Sequence, residues 1–552
     1  MGRASGSHPF CYGALLLLGV GITVCCLWWD RISIHEMIVS DTAKNLIESI
    51  FLPFERVLGV IPVDAGETNE QVKIANLFRG LIPAYAFYLV AIFVVIRLLK
   101  PNDPDGLRIT LLFAVTFRLV LFPFPPILET DIHRYLWDGA VLSNGGNPYQ
   151  FAPVEFTKIE ADGHREFYSE EEWTVLSRLD SPRRHPRMIE HFKRINHPTI
   201  PTIYPPMTQV VFATAHLISP ASQESYKLLN ALIDLGIVWI LLVLLGALGM
   251  NRNWILLYAW SPLILKEYTN TGHHDPIATL MTLIGLYLLL VRPRSPLPAA
   301  VALGLAALGK LYPLVIALAL ARRLRIRGLL VTAAVFALGY APFIASTGWR
   351  TFDGLTAFAK RWEFNSSIYA ASTKVYEFVG FKSLPVQVPD WVSRIPFLES
   401  IPNEIMLDDR VLAKITVSFA MALLLGFLAW LPLQVPRQIV GHAFAVVAAI
   451  FLLSPVSDPW YLGWVMPYVT LIPMASWVYL SGSVFIYYLY FWSWSYLPDA
   501  RAIEYLPFYT LLIVEILGRL PYWLAARRTP GIKYEQMWPD RGPAGLDSPR
   551  GE

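Results

Sequence analysis

The run Glu129-Thr130-Asp131-Ile132-His133-Arg134-Tyr135-Leu136-Trp137-Asp138-Gly139 sets three carboxylates, an arginine and two large aromatics directly after an apolar stretch ending at Pro125-Pro126. Gly145-Gly146-Asn147-Pro148-Tyr149 follows shortly, a turn-forming sequence. Carboxylates exchange protons and an arginine binds anions. Charged groups beside a bilayer cost energy. Collected at the mouth of an apolar helix, they point to a catalytic site acting on something the membrane carries.

The elements that hold this cluster are membrane helices. Of 552 residues, 55% are hydrophobic and 16% charged, and the mean hydropathy is +0.45. Apolar stretches of roughly 17–25 residues recur along the chain, each long enough to span a bilayer. The fold class expected is all-α: a polytopic membrane protein of about 13–14 transmembrane helices with large loops on one side. A net charge of +3 and the lack of a basic, aromatic-interleaved run exclude a nucleic-acid partner. The three cysteines, Cys11, Cys25 and Cys26, sit in the first apolar run and read as small core residues, without a disulfide framework. That run lacks a small-x-small cleavage site and reads as an anchor in place of a signal peptide.

Apolar runs at 10–29, 78–99 and 107–125 are the first spans, and the segment 30–77 reads as lying on the membrane surface. Arg97, Lys100 and Arg108 place the second loop in the cytoplasm by the positive-inside rule. The third span then delivers the acidic cluster to the opposite face. Residues 126–204 form a first extracytoplasmic loop, in which Glu170-Glu171-Glu172 and Arg183-Arg184-His185 are solvated faces. The stretch 205–220 is short for a span, and reading it as re-entrant keeps Arg252, Arg292, Arg294 and the cluster Arg322-Arg323-Arg325-Arg327 cytoplasmic. Further spans are expected at 226–249, 254–270, 276–292, as a broken pair in 297–321, and at 328–346. A second external loop covers 347–408, and spans near 410–431, 438–455, 461–478, 481–496 and 505–526 follow. Residues 1–526 read as one membrane domain and 527–552 as a disordered cytoplasmic tail. No internal repeat of the kind found in transporters is visible.

Several charges fall inside these spans or at their ends, and each needs a physical reason. Arg118 and Asp234 lie within spans, and Lys266-Glu267 ends one. Structural pairing is the simplest reading for Arg118 and Asp234. By contrast, His273, His274, Asp275, Lys310 and Asp458 all reach the face that carries Asp131. Trp460 and Tyr461 beside Asp458 suit an interfacial aromatic belt as well as a site.

Taken in order, these residues resemble the GT-C integral-membrane glycosyltransferases, in particular the bacterial polyprenol-phosphate-mannose-dependent mannosyltransferases. The resemblance rests on Asp131-x-x-Arg134-Tyr135-x-Trp137-Asp138-Gly139 with Gly146-Asn147-Pro148-Tyr149, and on Tyr204-Pro205-Pro206 with Gln209. It continues through Asn270-x-x-His273-His274-Asp275-Pro276, Lys310-Leu311-Tyr312-Pro313, Trp362-x-x-Asn365-Ser366-Ser367 and Asp458-Pro459-Trp460-Tyr461. It spans roughly residues 107–475; each motif is short, and their order carries the specificity.

The resemblance implies an inverting transferase. It would move a hexose, with mannose favoured, from a polyprenyl-phosphate donor to an extracytoplasmic glycan or lipid acceptor, in the inner or plasma membrane. Partners are the lipid-linked sugar donor, the glycan or lipid acceptor and membrane lipids; no cofactor and no metal is implied. Asp131 holds the family's acidic position and is the candidate base, with Glu129 the alternative. Arg134, Lys310, His273 and His274 are the candidates for phosphate or sugar contacts. Tyr135, Asp138, Tyr149, Tyr204, Asp275, Asn365, Asp458, Trp460 and Tyr461 complete the expected substrate-binding set. A zinc site at His273-His274-Asp275 lacks helical ligand spacing. A transporter or flippase of lipid-linked saccharides is the competing class.

Overall fold

The computed structural model describes residues 9–29, 69–157, 162–292, 294–393, 404–431, 433–491 and 497–528. Among them the backbone is helical nearly throughout. One antiparallel pair of short strands, Leu384–Gln387 against Glu404–Leu407, lies in the second loop. The all-α polytopic expectation holds, and its cause is the bilayer: a spanning backbone must satisfy its own N–H and C=O groups. Six helices are long and apolar enough to cross a membrane: Pro9–Trp29, Gln71–Arg97, Gln223–Ala247, Ala321–Arg361, Asp409–Trp430 and Pro436–Leu453. Pro276–Val291 and Leu297–Ala307 are apolar but shorter.

Large apolar side chains point outward on these helices, among them Phe93, Trp239, Leu330 and Phe419, whereas Arg118, Lys227 and Asp234 are buried. This inversion of the soluble pattern suits lipid as the outer solvent. Cys11, Cys25 and Cys26 are buried free thiols on the first helix. The expected surface segment falls mostly on residues 30–68 and the expected tail mostly on 529–552, outside the described residues.

Some expected spans are broken. Residues 252–270 run as a 3-10 turn (Arg252–Ile255), two short helices split at Pro262, and a π-helical turn over Leu265–Asn270. A π-turn leaves the regular ladder and commonly marks a functional position. It carries Lys266 and Glu267. The anticipated pair in 297–321 is present as Leu297–Ala307 and Tyr312–Ala319, with Lys310 in the gap. Residues 461–478 and 481–496 are not the two continuous spans anticipated. Pro459, Pro467 and Pro473 each lack an N–H, and the chain breaks into Pro459–Leu462, Met466–Leu471 and Ala475–Ser483 before a 3-10 segment, Val484–Phe491. A kink at Arg325 (φ 58°, ψ 173°) divides the helix Ala321–Thr347.

The acidic run folds as a helix, Asp131–Ser143, buried along most of its length. The short helix Pro206–Ile218, expected to be re-entrant, packs against it. Gly139 makes this crossing possible: a Cβ there would strike the Phe212 carbonyl. Gly145, at φ 73°, is the turn residue. In the rest of the loop, Glu170–Arg183 starts on a capping box of Ser169 and Glu172, so its glutamates face the positive end of the helix dipole.

The central polar contact between spans joins Arg118 to Asp234. Arg118 Nε donates to Asp234 Oδ2 at 2.7 Å, and the Tyr258 hydroxyl donates to Oδ1 at 2.5 Å. Arg118 also donates to the Ala114 and Ala259 carbonyls. The pairing expected from the sequence is present, with both side chains buried and facing each other. Removing one partner strands a buried charge, and Arg118→Ala should lower stability by about 3–5 kcal/mol. The double substitution Arg118→Met with Asp234→Leu should recover most of that loss. Unfolding of purified protein in detergent measures both.

Candidate active site

One cavity of about 800 Å³ gathers residues from across the sequence. Glu129, Asp131, Arg134 and Tyr135 enter from the acidic run, and Arg194, Asn196 and Tyr204 from the end of the first loop. His274 comes from the loop after the π-turn and Lys310 from the helix break. Asp458, Trp460 and Tyr461 lead the last set of broken helices. The remaining wall is largely apolar: Leu311, Val315, Leu355, Phe358, Ile450 and Phe451.

Asp131 is the first residue of its helix. Three donors surround its carboxylate: Asn196 Nδ2 at 2.6 Å on Oδ1, with the Tyr135 and Tyr204 hydroxyls at 3.4 and 3.5 Å on Oδ2. Arg134 Nε pairs with Asp138 Oδ1 at 2.8 Å, and Nη1 donates to the Ile200 carbonyl, leaving Nη2 buried without a protein partner. Asp138 lies behind the wall. Its Oδ2 accepts from Thr202 at 2.5 Å and Gln209 at 3.2 Å, which ties the acidic helix to the loop's closing segment. Tyr149 likewise does not line the cavity, and its hydroxyl donates to the Tyr204 carbonyl at 2.6 Å.

On the opposite wall, Lys310 Nζ lies 3.2 Å from Asp275 Oδ1 and 4.8 Å from the Tyr461 ring centroid. Asp275 also accepts from Trp464 Nε1 at 2.6 Å and does not itself line the cavity. His274 Nδ1 is 3.3 Å from the Tyr135 hydroxyl, and its Nε2 has no protein partner. His273 sits deeper, stacked on Trp460 with ring centroids 4.2 Å apart, and its Nε2 is 3.6 Å from Glu267. Asn365 is fully buried behind the wall, its carbonyl accepting from Tyr505. Its segment is stitched to the one before Asp458 by a parallel bridge, Phe364 to Val456.

Of the fifteen residues anticipated, the structure therefore brings ten to the cavity wall and sets Asp138, Tyr149, His273, Asp275 and Asn365 behind it. Sequence reasoning missed Asn196 and Arg194, which had no local signal, and Tyr487 and Tyr488, hidden in an apolar run. Lys266 and Glu267 stood out as costly charges without being linked to the site. No group of three or more His, Cys, Asp or Glu among the described residues is arranged to hold a metal ion.

Carboxyls crowd this mouth. Burial raises Asp458 from its ordinary 3.8 to about 8, and the negative charges of Asp131 and Glu267 push the same way, against Tyr487 and Lys310. Burial also pushes Glu129 well up, opposed by Lys266 and reinforced by Asp131, Glu267 and Asp458. Between pH 4 and 8 the folded protein thus holds a proton on Asp458 that the unfolded chain has released. Stability is greatest below that window and falls as pH rises through about 8. Thermal unfolding followed across pH should show this decline, and Asp458→Asn should flatten it.

Residues 202–455 match Glycosyltransferase family 87. The matched stretch includes Tyr204, His273 to Asp275, Lys310 and Asn365; it begins after the acidic helix and ends just short of Asp458. The resemblance to membrane glycosyltransferases of the GT-C type holds at this level, and the match is silent on mannose. No curated protein and no solved structure matches the chain.

Proposed function

Starting from a membrane body that matches a glycosyltransferase family over 202–455, we propose that the chain is an inverting hexosyltransferase. It takes its sugar from a polyprenyl phosphate and passes it to a hydroxyl of a glycan or lipid acceptor on the extracytoplasmic face. The observation that carries this reading is the pairing of the Asp131 carboxylate with an apolar wall in one cavity. A lipid-linked sugar needs both: apolar surface for the prenyl chain, and a base beside the attacking hydroxyl. Cytoplasmic Arg and Lys loops, counted from the sequence, support the outward orientation.

In this scheme the acceptor oxygen attacks the anomeric carbon from the face opposite the phosphate. As the new C–O bond forms, the bond to the phosphate oxygen breaks and its electron pair leaves with the phosphate. The acceptor proton passes to Asp131. One in-line displacement inverts the anomeric centre. Cations stabilise the departing charge, and Lys310, the unpartnered Nη2 of Arg134, and Arg194 face or line the space where that charge grows. His274 and Trp460 offer polar and stacking contacts to a sugar ring.

Purified protein incubated with radiolabelled polyprenyl-phosphate-mannose and a panel of acceptors should yield labelled product. Asp131→Asn should lower the rate by about 100-fold or more, in the range general-base catalysis contributes. Equal transfer by both proteins would remove Asp131 from its role. Movement of the label across vesicles without a new covalent product would instead mark a flippase.

A further inference from the structure

Two carboxyls two residues apart, Glu129 and Asp131, both face the cavity, but the tyrosine that meets Glu129 is shared with a second acid, Glu267. Every polar contact to Asp131 is a donor: an amide N–H and two tyrosine hydroxyls. Such a shell fits an ionised carboxylate, which only accepts.

Glu129 lies in a different arrangement. Its Oε1 is 3.3 Å from the Tyr488 hydroxyl, and that same hydroxyl is 3.0 Å from Glu267 Oε1. Lys266 Nζ donates to the Tyr488 oxygen and pairs with Glu267 at 3.1 Å, while Thr271 also reaches Glu267. A row of three oxygens, Glu129 to Tyr488 to Glu267, needs two hydrogens to be held by hydrogen bonds. Tyr488 supplies one, and the lysine hydrogens approach Tyr488 and Glu267 from the side. Glu267 is ion-paired with Lys266, a pairing that a proton on Glu267 would weaken. Placing the second hydrogen on Glu129 keeps that pair intact.

We propose that Glu129 is a proton-carrying positioning residue, locked by Tyr488 above the Lys266–Glu267 pair, and that its neutrality leaves Asp131 the ionised carboxylate at the acidic tip. Every charged or titratable group packed around it bears on this state. Asp131 stands on the next turn of chain, Lys266 and Glu267 on the π-turn, Asp458 ahead of its short helix, and Tyr487 and Tyr488 on the 3-10 segment. Burial and the three neighbouring acids act in the direction of a retained proton. A second negative charge two residues from Asp131 would oppose ionisation of the base. The protonation itself is independent of the proposed reaction; its role in keeping Asp131 ionised rests on that reading.

Infrared spectroscopy of the purified full chain at neutral pH tests the protonation without any substrate. The difference between wild type and Glu129→Gln should contain the carbonyl band of a protonated carboxyl, and that band should vanish at alkaline pH. A difference showing only carboxylate bands would overturn the assignment, whatever the enzymatic result. In the transfer assay, Glu129→Gln, which keeps a neutral side chain with an N–H to offer, should lose markedly less activity at neutral pH than Glu129→Ala, which cannot hold Tyr488. It should also shift the alkaline limb of the rate profile, while Asp131→Asn loses about 100-fold. A loss in Glu129→Gln as deep as in Asp131→Asn, with the protein still folded by its melting profile, would make Glu129 the base. Failure of transfer in every protein would count against the reaction and leave the infrared result standing.

Discussion

An ionised group buried in this membrane body costs free energy unless protein groups meet it. Arg118 answers Asp234, Lys266 answers Glu267, and Lys310 answers Asp275. The first and third of these pairs join segments distant in sequence, and they tie the helical body together where apolar packing alone would leave it free to slide. In lipid, apolar surface gains little from meeting apolar surface, so specificity falls to polar contacts and close approach. The Gly139 crossing with Phe212 supplies the second of these.

The pairs also explain where the helices break. A continuous helix spends its backbone groups on itself and presents side chains only sideways. The gap at Lys310, the π-turn at Lys266–Glu267 and the proline-broken run after Asp458 turn chain ends toward one mouth. Each break sets a charged residue at the cavity or just behind its wall. Part of the apolar wall comes from the flank of an unbroken helix, Pro436–Leu453, through Ile450 and Phe451.

Much of this was legible in the residues. Hydropathy located most spans, because a bilayer permits little but long apolar helices. Asp234 and Arg118 identified themselves by their cost, and the Lys310 gap appeared as two short apolar runs. What stayed hidden has a common cause. Asn196 is an ordinary loop residue until folding sets it against Asp131, and Tyr488 is one aromatic in a run of them until it meets Glu129 and Glu267. Hydropathy saw 461–496 as apolar and could not see that its prolines divide it. Asp138 and Asp275 were expected to bind substrate, yet they lie behind the wall, paired with Arg134 and Lys310.

The chain order of these contacts sets a schedule for assembly. Glu129 and Tyr488 lie 359 residues apart, and Asn365 is capped by Tyr505, 140 residues later. During synthesis the acidic mouth therefore enters the membrane long before the segment that covers it. Until the last helices arrive, Glu129 and Glu267 must keep water or borrow other donors. The site is the part of the molecule that dries last, and a chain halted before residue 484 would leave it a wet, half-walled groove.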